Sequence, residues 1–226
     1  MEGFHGVVAV DGPSGSGKST VSRRLATALG AEYLDTGAMY RSATWAVLAA
    51  GTDLTDTDGI ADTVTRAERT ITTDPAAVEV RVDGGRVDAE IRGPQVTAAV
   101  SAVSAVPAVR QALIAEQRRI IADARARGGI VVEGRDIGAV VAPDAELKVF
   151  LTADATERAR RRSAENTTDL NATHADLQRR DQADSKVTKP LLAADGAVTV
   201  DTTAHSIDEV VEQLMALLHV ARIEVQ

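Results

Sequence analysis

Apolar and polar positions fall into blocks along this chain, and the period within each block names its element. VVAV (7–10) is an uninterrupted apolar run, the mark of a strand buried on both faces. After the polar, glycine-rich stretch DGPSGSGKST (11–20), apolar residues return at helical spacing. Val21, Leu25, Ala28 and Leu29 predict a helix over 20–30 that Gly30 stops. AEYLD (31–35) predicts a second strand, and GAMYRSATWAVLAAG (37–51) a helix ending at Gly51. Farther on, 107–127 reads as a long helix with Pro107 in its first turn. IVV (130–132), LKVFL (147–151) and AVTV (197–200) read as strands, with a helix at DATERARRRSAEN (154–166). A last amphipathic helix, 206–220, opens on a Ser206/Glu209 capping box. Such alternation predicts an α/β fold, a parallel sheet covered by helices on both faces.

One region breaks the alternation. Between the helix ending near 51 and Pro107, two period-two runs (78–82 and 86–91) flank Asp83-Gly84-Gly85, a hairpin signal. ERTIT (68–72) offers a third strand. The expectation is a small antiparallel insert of roughly 40 residues, too small to fold alone.

Composition narrows the picture. A chain of 226 residues, 44% hydrophobic and 26% charged, fits one globular domain with a small insert. There is neither an apolar run approaching the roughly 20 residues of a membrane span nor a leader-like start, so a soluble cytoplasmic protein without membrane partners is expected. The chain has no cysteine, which excludes disulfides, thiolate metal sites and cysteine nucleophiles. A net charge of −8 and 2% aromatics argue against a broad nucleic-acid surface. Only four lysines occur, Lys18, Lys148, Lys186 and Lys189, against many arginines. A lysine here either marks a needed point charge or reflects compositional drift.

Gly12-x-x-x-x-Gly17-Lys18-Ser19 is a complete Walker A pattern, set between a strand and a helix as its chemistry requires. Glycines let backbone N–H groups converge on phosphates at the helix start, Lys18 reaches the β- and γ-phosphates, and the Ser19 hydroxyl can ligate Mg²⁺. The bland alternative is a glycine turn before a helix. A GTPase switch would need Asn-Lys-x-Asp, which is missing, and DxxG occurs only as DTDG (56–59) with no apolar strand before it. Motors, helicases and transporter ATPases need more chain. A small-molecule kinase remains, with a second phosphate or hydroxyl site and cations around the transferred group. Arg41, Arg110, Arg135, ERARRR (157–162) and Arg179-Arg180 are placed to supply them. Asp35-Thr36-Gly37 and Glu133-Gly134-Arg135-Asp136 follow strands and should face the nucleotide. ERARRR alone would be a solvated helix face or an RNA patch; behind a P-loop, with a polar loop (165–176) after it, it reads as a lid over ATP.

DGPSGSGKST, YLDTGAMYR, the hairpin ending in EIRG, VSAVSAVPAVRQAL, VVEGRDIG and RRDQADS together resemble the bacterial cytidylate (CMP/dCMP) kinase family over nearly the whole chain. The resemblance implies a P-loop NTPase core of the nucleoside-monophosphate-kinase type, transfer of the ATP γ-phosphate to CMP or dCMP, and a requirement for Mg²⁺. A single domain, 1–226, is expected: core 1–60, 105–156 and 178–226, acceptor-side β insert about 62–104, and lid about 157–177, in a monomer. Its partners would be small-molecule nucleotides (ATP, CMP, dCMP).

Family roles carry over as follows. ATP falls to Gly12, Pro13, Ser14, Gly15, Ser16, Gly17, Lys18, Ser19 and Thr20, with Ser19 and Asp35 on the metal side. Asp35 serves equally well as a helix N-cap. The CMP phosphate meets Thr36, Arg41 and Arg135, because guanidinium forks match phosphate oxygens. Asp136 accepts from the cytosine amine, Arg110 and Ser101 donate to the base, and Arg180 and Asp184 reach the ribose. Lys18, Arg135, Arg158 and Arg162 are the catalytic cations, with Arg161 beside them in the lid. One departure stands out: the family's Asp-Ser-Thr-Arg is replaced by DSKVTKPL (184–191), so the arginine's role is either vacant or passed to Lys186 or Lys189, Lys186 being nearer. Two rivals remain at this stage, a kinase for another acceptor such as UMP or AMP, and a nucleotide-binding switch with no use for acceptor-side arginines.

Overall fold

The VVAV run lies at the centre of the molecule, within a strand buried along its entire length, β1 (Gly6–Asp11). The computed structural model describes residues 4–166, 174, 177, 179, 182 and 192–224. β1 pairs in parallel with β6 (Gly129–Gly134) on one side and β7 (Leu147–Thr152) on the other. β2 (Glu32–Asp35) and β8 (Val198–Asp201) complete a five-stranded sheet of order β2-β6-β1-β7-β8. Period-two geometry sends alternate β1 residues to opposite faces. Val8 and Val10 pack with Leu25 of α1 (Lys18–Leu29) and Leu214 of α7 (Ile207–Glu224), whereas Val7 and Ala9 pack with Ile121 and Ala124 of α5 (Pro107–Arg127). Each buried valine, leucine or isoleucine among them contributes about 1.5–3 kcal/mol. Ser206 and Glu209 form the expected capping box, Ser206 N donating to Glu209 Oε2 at 2.8 Å.

The insert is present as a separate antiparallel sheet of β3 (Arg69–Ile71), β4 (Val80–Val82) and β5 (Gly85–Arg86). Asp83 and Gly84, both with positive φ (49° and 77°), form the two-residue turn. The second run is shorter than the expected 86–91. After Val87 N donates to Val80 O, the Asp88 side chain accepts from Val80 N at 2.9 Å, taking the donor a continued ladder would use. The chain then winds into a 3₁₀ turn, Glu90–Arg92.

Two helices were not foreseen. α3 (Thr57–Arg66) starts where DTDG stands, because the Asp56 carboxylate accepts from Gly59 N at 2.9 Å. α4 (Pro94–Ser104) buries Val96, Ala99 and Val103 at spacings of three and four. α2 (Thr36–Ala49) joins the layers: Ala43 and Val47 pack with α3, α4 and α5, and Ala38 and Ala46 with Val80, Val82 and Ile91 of the insert. A short helix–sheet contact thus ties the insert to the carboxyl end of β2.

Candidate active site

The carboxyl ends of β1, β2 and β6 open onto one cleft of about 230 Å³. Ligands in parallel α/β sheets bind at this end. The P-loop reaches the cleft through backbone conformations that only glycine adopts readily: Gly12, Gly15 and Gly17 have φ of 149°, 78° and 88°. Crowding reinforces the choice. A Cβ on Gly12 would sit 2.1 Å from the Leu151 carbonyl oxygen, and one on Gly15 would sit 2.8 Å from that of Arg158. Gly17 is the N-cap of α1 and brings no side-chain cap, which leaves the first-turn N–H groups to an anion. Ser16 Oγ and Lys18 Nζ both donate to Pro13 O, at 3.0 and 2.8 Å.

Six cationic side chains and three carboxylates line the cleft of this acidic protein: Lys18, Arg41, Arg92, Arg110, Arg135 and Arg162 against Asp35, Glu133 and Asp136. Burial and then the neighbouring Arg135 charge push the Lys18 ammonium pKa down, against the opposing pull of Glu133, Asp11 and Asp35. Burial and then Asp35 push the Glu133 carboxyl up, opposed by Lys18 and by hydrogen bonds with Tyr33 and Ser19. The effects on Lys18 place two positive charges together at the middle of the cleft, where an anion would relieve their repulsion.

On the far side, the Thr36 hydroxyl donates to Glu133 O at 2.7 Å, at the start of α2. Arg41 is oriented by Ile91 O and Thr97 Oγ1, both at 3.0 Å, so the insert and α4 hold it. Arg110 Nη2 donates to Asp136 Oδ2 at 2.5 Å, with side-chain exposures of only 18% and 14%. Asp136 therefore pairs with the α5 arginine.

Several sequence-predicted residues land beside the cleft without lining it. Gly12, Pro13 and Ser16 form the back of the loop. Ser101 is on α4, but Val100 and Ser104 of that helix line the cleft. The arginines of α6 (Ala155–Asn166) divide their tasks. Arg162 lines the cleft, Arg158 Nη1 donates to Ser14 O at 3.1 Å, and Arg161 is held by Thr202 O at 2.7 Å and by Glu157. Arg180, Asp184, Lys186 and Lys189 lie outside the described residues. Asp35 is the N-cap of α2, its Oδ1 accepting from Ala38 N at 2.9 Å, while Oδ2 lies 3.4 Å from Arg92 Nη2. Glu133 lines the cleft as its place after the IVV run predicted, whereas sequence reasoning missed Arg92 and Tyr40 as cleft residues, although each lies inside a string it singled out: EIRG and YLDTGAMYR.

Ser19, Asp35 and Glu133 supply only hard oxygen donors, the kind Mg²⁺ takes. Among the described residues no group of three or more His, Cys, Asp or Glu side chains is arranged to hold a metal ion. Phosphate oxygens and water would complete the shell, the usual division for Mg²⁺ at phosphates. The donor set fits.

Comparison with known proteins agrees with this geometry. A family profile described as cytidylate kinase matches residues 8–220. A cytidylate kinase from Rhodococcus opacus (strain B4) is 55% identical over 218 residues, 94% of each chain. One from Nocardia farcinica is 57% identical over 214 residues, 92% of this chain and 91% of that one. A gluconokinase structure from Sinorhizobium meliloti shares the fold, with a TM-score of 0.51 at 20% identity over 99% of this chain and 98% of that one.

Proposed function

The chain belongs to the cytidylate kinase family, and we propose that its cleft transfers the γ-phosphate of ATP to CMP or dCMP, giving ADP and CDP or dCDP. The observation that carries this reading is the single cleft in which the P-loop and the Arg110–Asp136 pair face one another. Gly15, Gly17, Lys18, Ser19 and Thr20 hold the ATP phosphates. Thr36, Arg41, Arg92 and Arg135 receive the acceptor phosphate, a dianion suited to guanidinium forks. Asp136, oriented by Arg110, accepts from the 4-amino group that cytosine has and uracil lacks.

No side-chain nucleophile is needed, since an acceptor phosphate oxygen attacks the γ-phosphorus and catalysis consists of alignment and charge. Lys18 and Arg135 already stand close enough to perturb one another, and Arg162 approaches from α6. Mg²⁺, when bound, neutralises phosphate charge; Ser19, Asp35 and Glu133 would hold it directly or through water. Arg158 contributes by bracing the P-loop at Ser14 O. Lys186 is assigned the role of the family arginine, and Arg180 and Asp184 the ribose, on the resemblance alone.

We divide the chain into a core (1–60, 105–156 and 178–226), an insert (about 62–104) and a lid (about 157–177). Both substrate sites come from one chain, which supports a monomer working in the cytoplasm, where nucleotides are made. The test is a coupled assay with ATP and CMP, dCMP, UMP or AMP in turn. CMP and dCMP should be turned over well above the others; equal turnover of UMP would overturn the base-reading assignment.

A further inference from the structure

Asp11 is the last residue of β1, sits immediately before the P-loop and is only 5% exposed. Its Oδ1 accepts from Ile137 N at 2.7 Å and its Oδ2 from Gly138 N at 2.8 Å. Its backbone stands opposite Gly134 in the β1/β6 register. One residue thus grips the chain on both sides of Arg135-Asp136: the strand ladder before the pair, the carboxylate after it. The segment that follows, Ile137–Val141, is a single i→i+5 turn closed by Ala142 N donating to Ile137 O at 2.8 Å. The leading N–H groups of such a turn have no acceptor inside it. Asp11 supplies acceptors for the first two, Ile137 N and Gly138 N, and bonds to an ionised carboxylate are the strong ones.

We propose that Asp11 is a positioning residue for the acceptor site: its carboxylate clamps Ile137 and Gly138 and so sets the placement of Arg135 and Asp136 relative to the P-loop. Asp11 is not among the residues that line the cleft. Its carboxylate bonds run only to the acceptor-side turn, so the effect of losing them falls on that half of the cleft, even though the loop that binds ATP begins at the next residue. Burial raises the Asp11 carboxyl pKa above its ordinary value; the bonds from Gly138 N and Ile137 N oppose that shift, Asp136 adds to it and Lys18 opposes it.

This inference rests on the proposed function, and its test separates the two. Asp11→Asn keeps the shape but offers one acceptor oxygen to two N–H donors and turns an amide N–H₂ against one of them. The KM for CMP should rise about tenfold or more while the KM for ATP changes by less than about threefold, and the preference for CMP over UMP should shrink. Amide hydrogen exchange at Ile137 and Gly138 should quicken in the same variant, without any substrate present. A purely structural role would lower the melting temperature and leave that kinetic split and the CMP preference unmoved. If Asp11→Asn does not fold, Gly138→Ala takes its place: the added methyl would stand 3.3 Å from Lys148 Cδ, so the turn or Lys148 must yield slightly, and in ordinary contact with the same carboxylate oxygen at 3.4 Å, and a smaller split of the same sign is expected. Equal rises in both KM values, or unchanged kinetics in a folded variant, overturn the clamp. Wild-type protein that does not prefer CMP to UMP overturns the proposed function instead.

Discussion

The two halves of the cleft are built by opposite means. The donor half is one continuous stretch, Ser14–Thr20, that recognises phosphate through glycine conformations and backbone N–H groups. The acceptor half is gathered from Thr36–Arg41 on α2, Arg92 in the insert, Val100 and Ser104 on α4, Arg110 on α5, and Gly134–Asp136 after β6. Phosphate is met alike by any chain that frees its N–H groups, so a local segment suffices. A base is told from its relatives by side-chain donors and acceptors at fixed separations, and those separations need several elements. Changes in the donor half should therefore damage every reaction, and changes in the acceptor half should alter choice.

The largest effect tests the donor half. Lys18→Ala should leave turnover below about a tenth of wild type with every monophosphate, the scale of losing a charged transition-state contact. Thermal unfolding should move little, since burial already disfavours this ammonium. Next comes choice: Asp136→Asn should lower kcat/KM for CMP by about 10- to 100-fold more than for UMP. Equal losses would make the Arg110–Asp136 pair a structural strut and blur the distinction between the halves.

Smaller effects probe the edges of the acceptor half. Arg92 is 57% exposed and pairs loosely with Asp35, so Arg92→Ala should raise the KM for CMP only about two- to fivefold at unchanged ATP affinity. Lys186→Ala should raise the same KM by about twofold or more, and Lys189→Ala should not, if Lys186 replaces the family arginine.

The smallest effect concerns the α6 arginines. Hydrogen bonds from Arg160 first, and also Arg161, hold the Glu157 carboxyl at about 2, below its ordinary 4.5. A depressed carboxyl contributes stability above pH 4.5 that is lost as pH falls through about 2. Glu157→Gln should flatten the decline of the urea midpoint over that interval, by less than about 1 kcal/mol, since its Arg160 partner is 67% exposed. The variant should leave CMP and ATP turnover near wild type at neutral pH, because Arg161 keeps its bond to Thr202 O.

Much of the architecture could be read from periodicity because burial imposes it. β1, β6 and β7 are buried on both faces and appear as apolar runs, and the Asp83-Gly84 turn appears as a dipeptide suited to positive φ. α4 was hidden because apolar residues also fill its less buried positions (Ala98, Val100 and Ala102), so the Val96, Ala99, Val103 period does not stand out from them. The second hairpin run overstated its strand because a side chain, Asp88, competes with the backbone for Val80 N. Competition of that kind is invisible to an alternation count.

For the site, the sequence by itself determined the phosphate chemistry: a Walker A loop carries its own conformation and its own donors, so ten residues are enough to identify it. It also placed Arg41, Arg110, Arg135 and Asp136 near the reaction from their positions along the chain, and the family resemblance assigned each its role. Only the tertiary structure decided that Asp136 pairs with Arg110, that Val100 and Ser104 line the cleft while Ser101 does not, that Arg162 is the α6 arginine lining the cleft, and that Asp11 holds the turn beyond Asp136. Those contacts join residues 26 to 127 positions apart in the chain. Strand order and helix packing bring them together, and neither is written in any local stretch of residues.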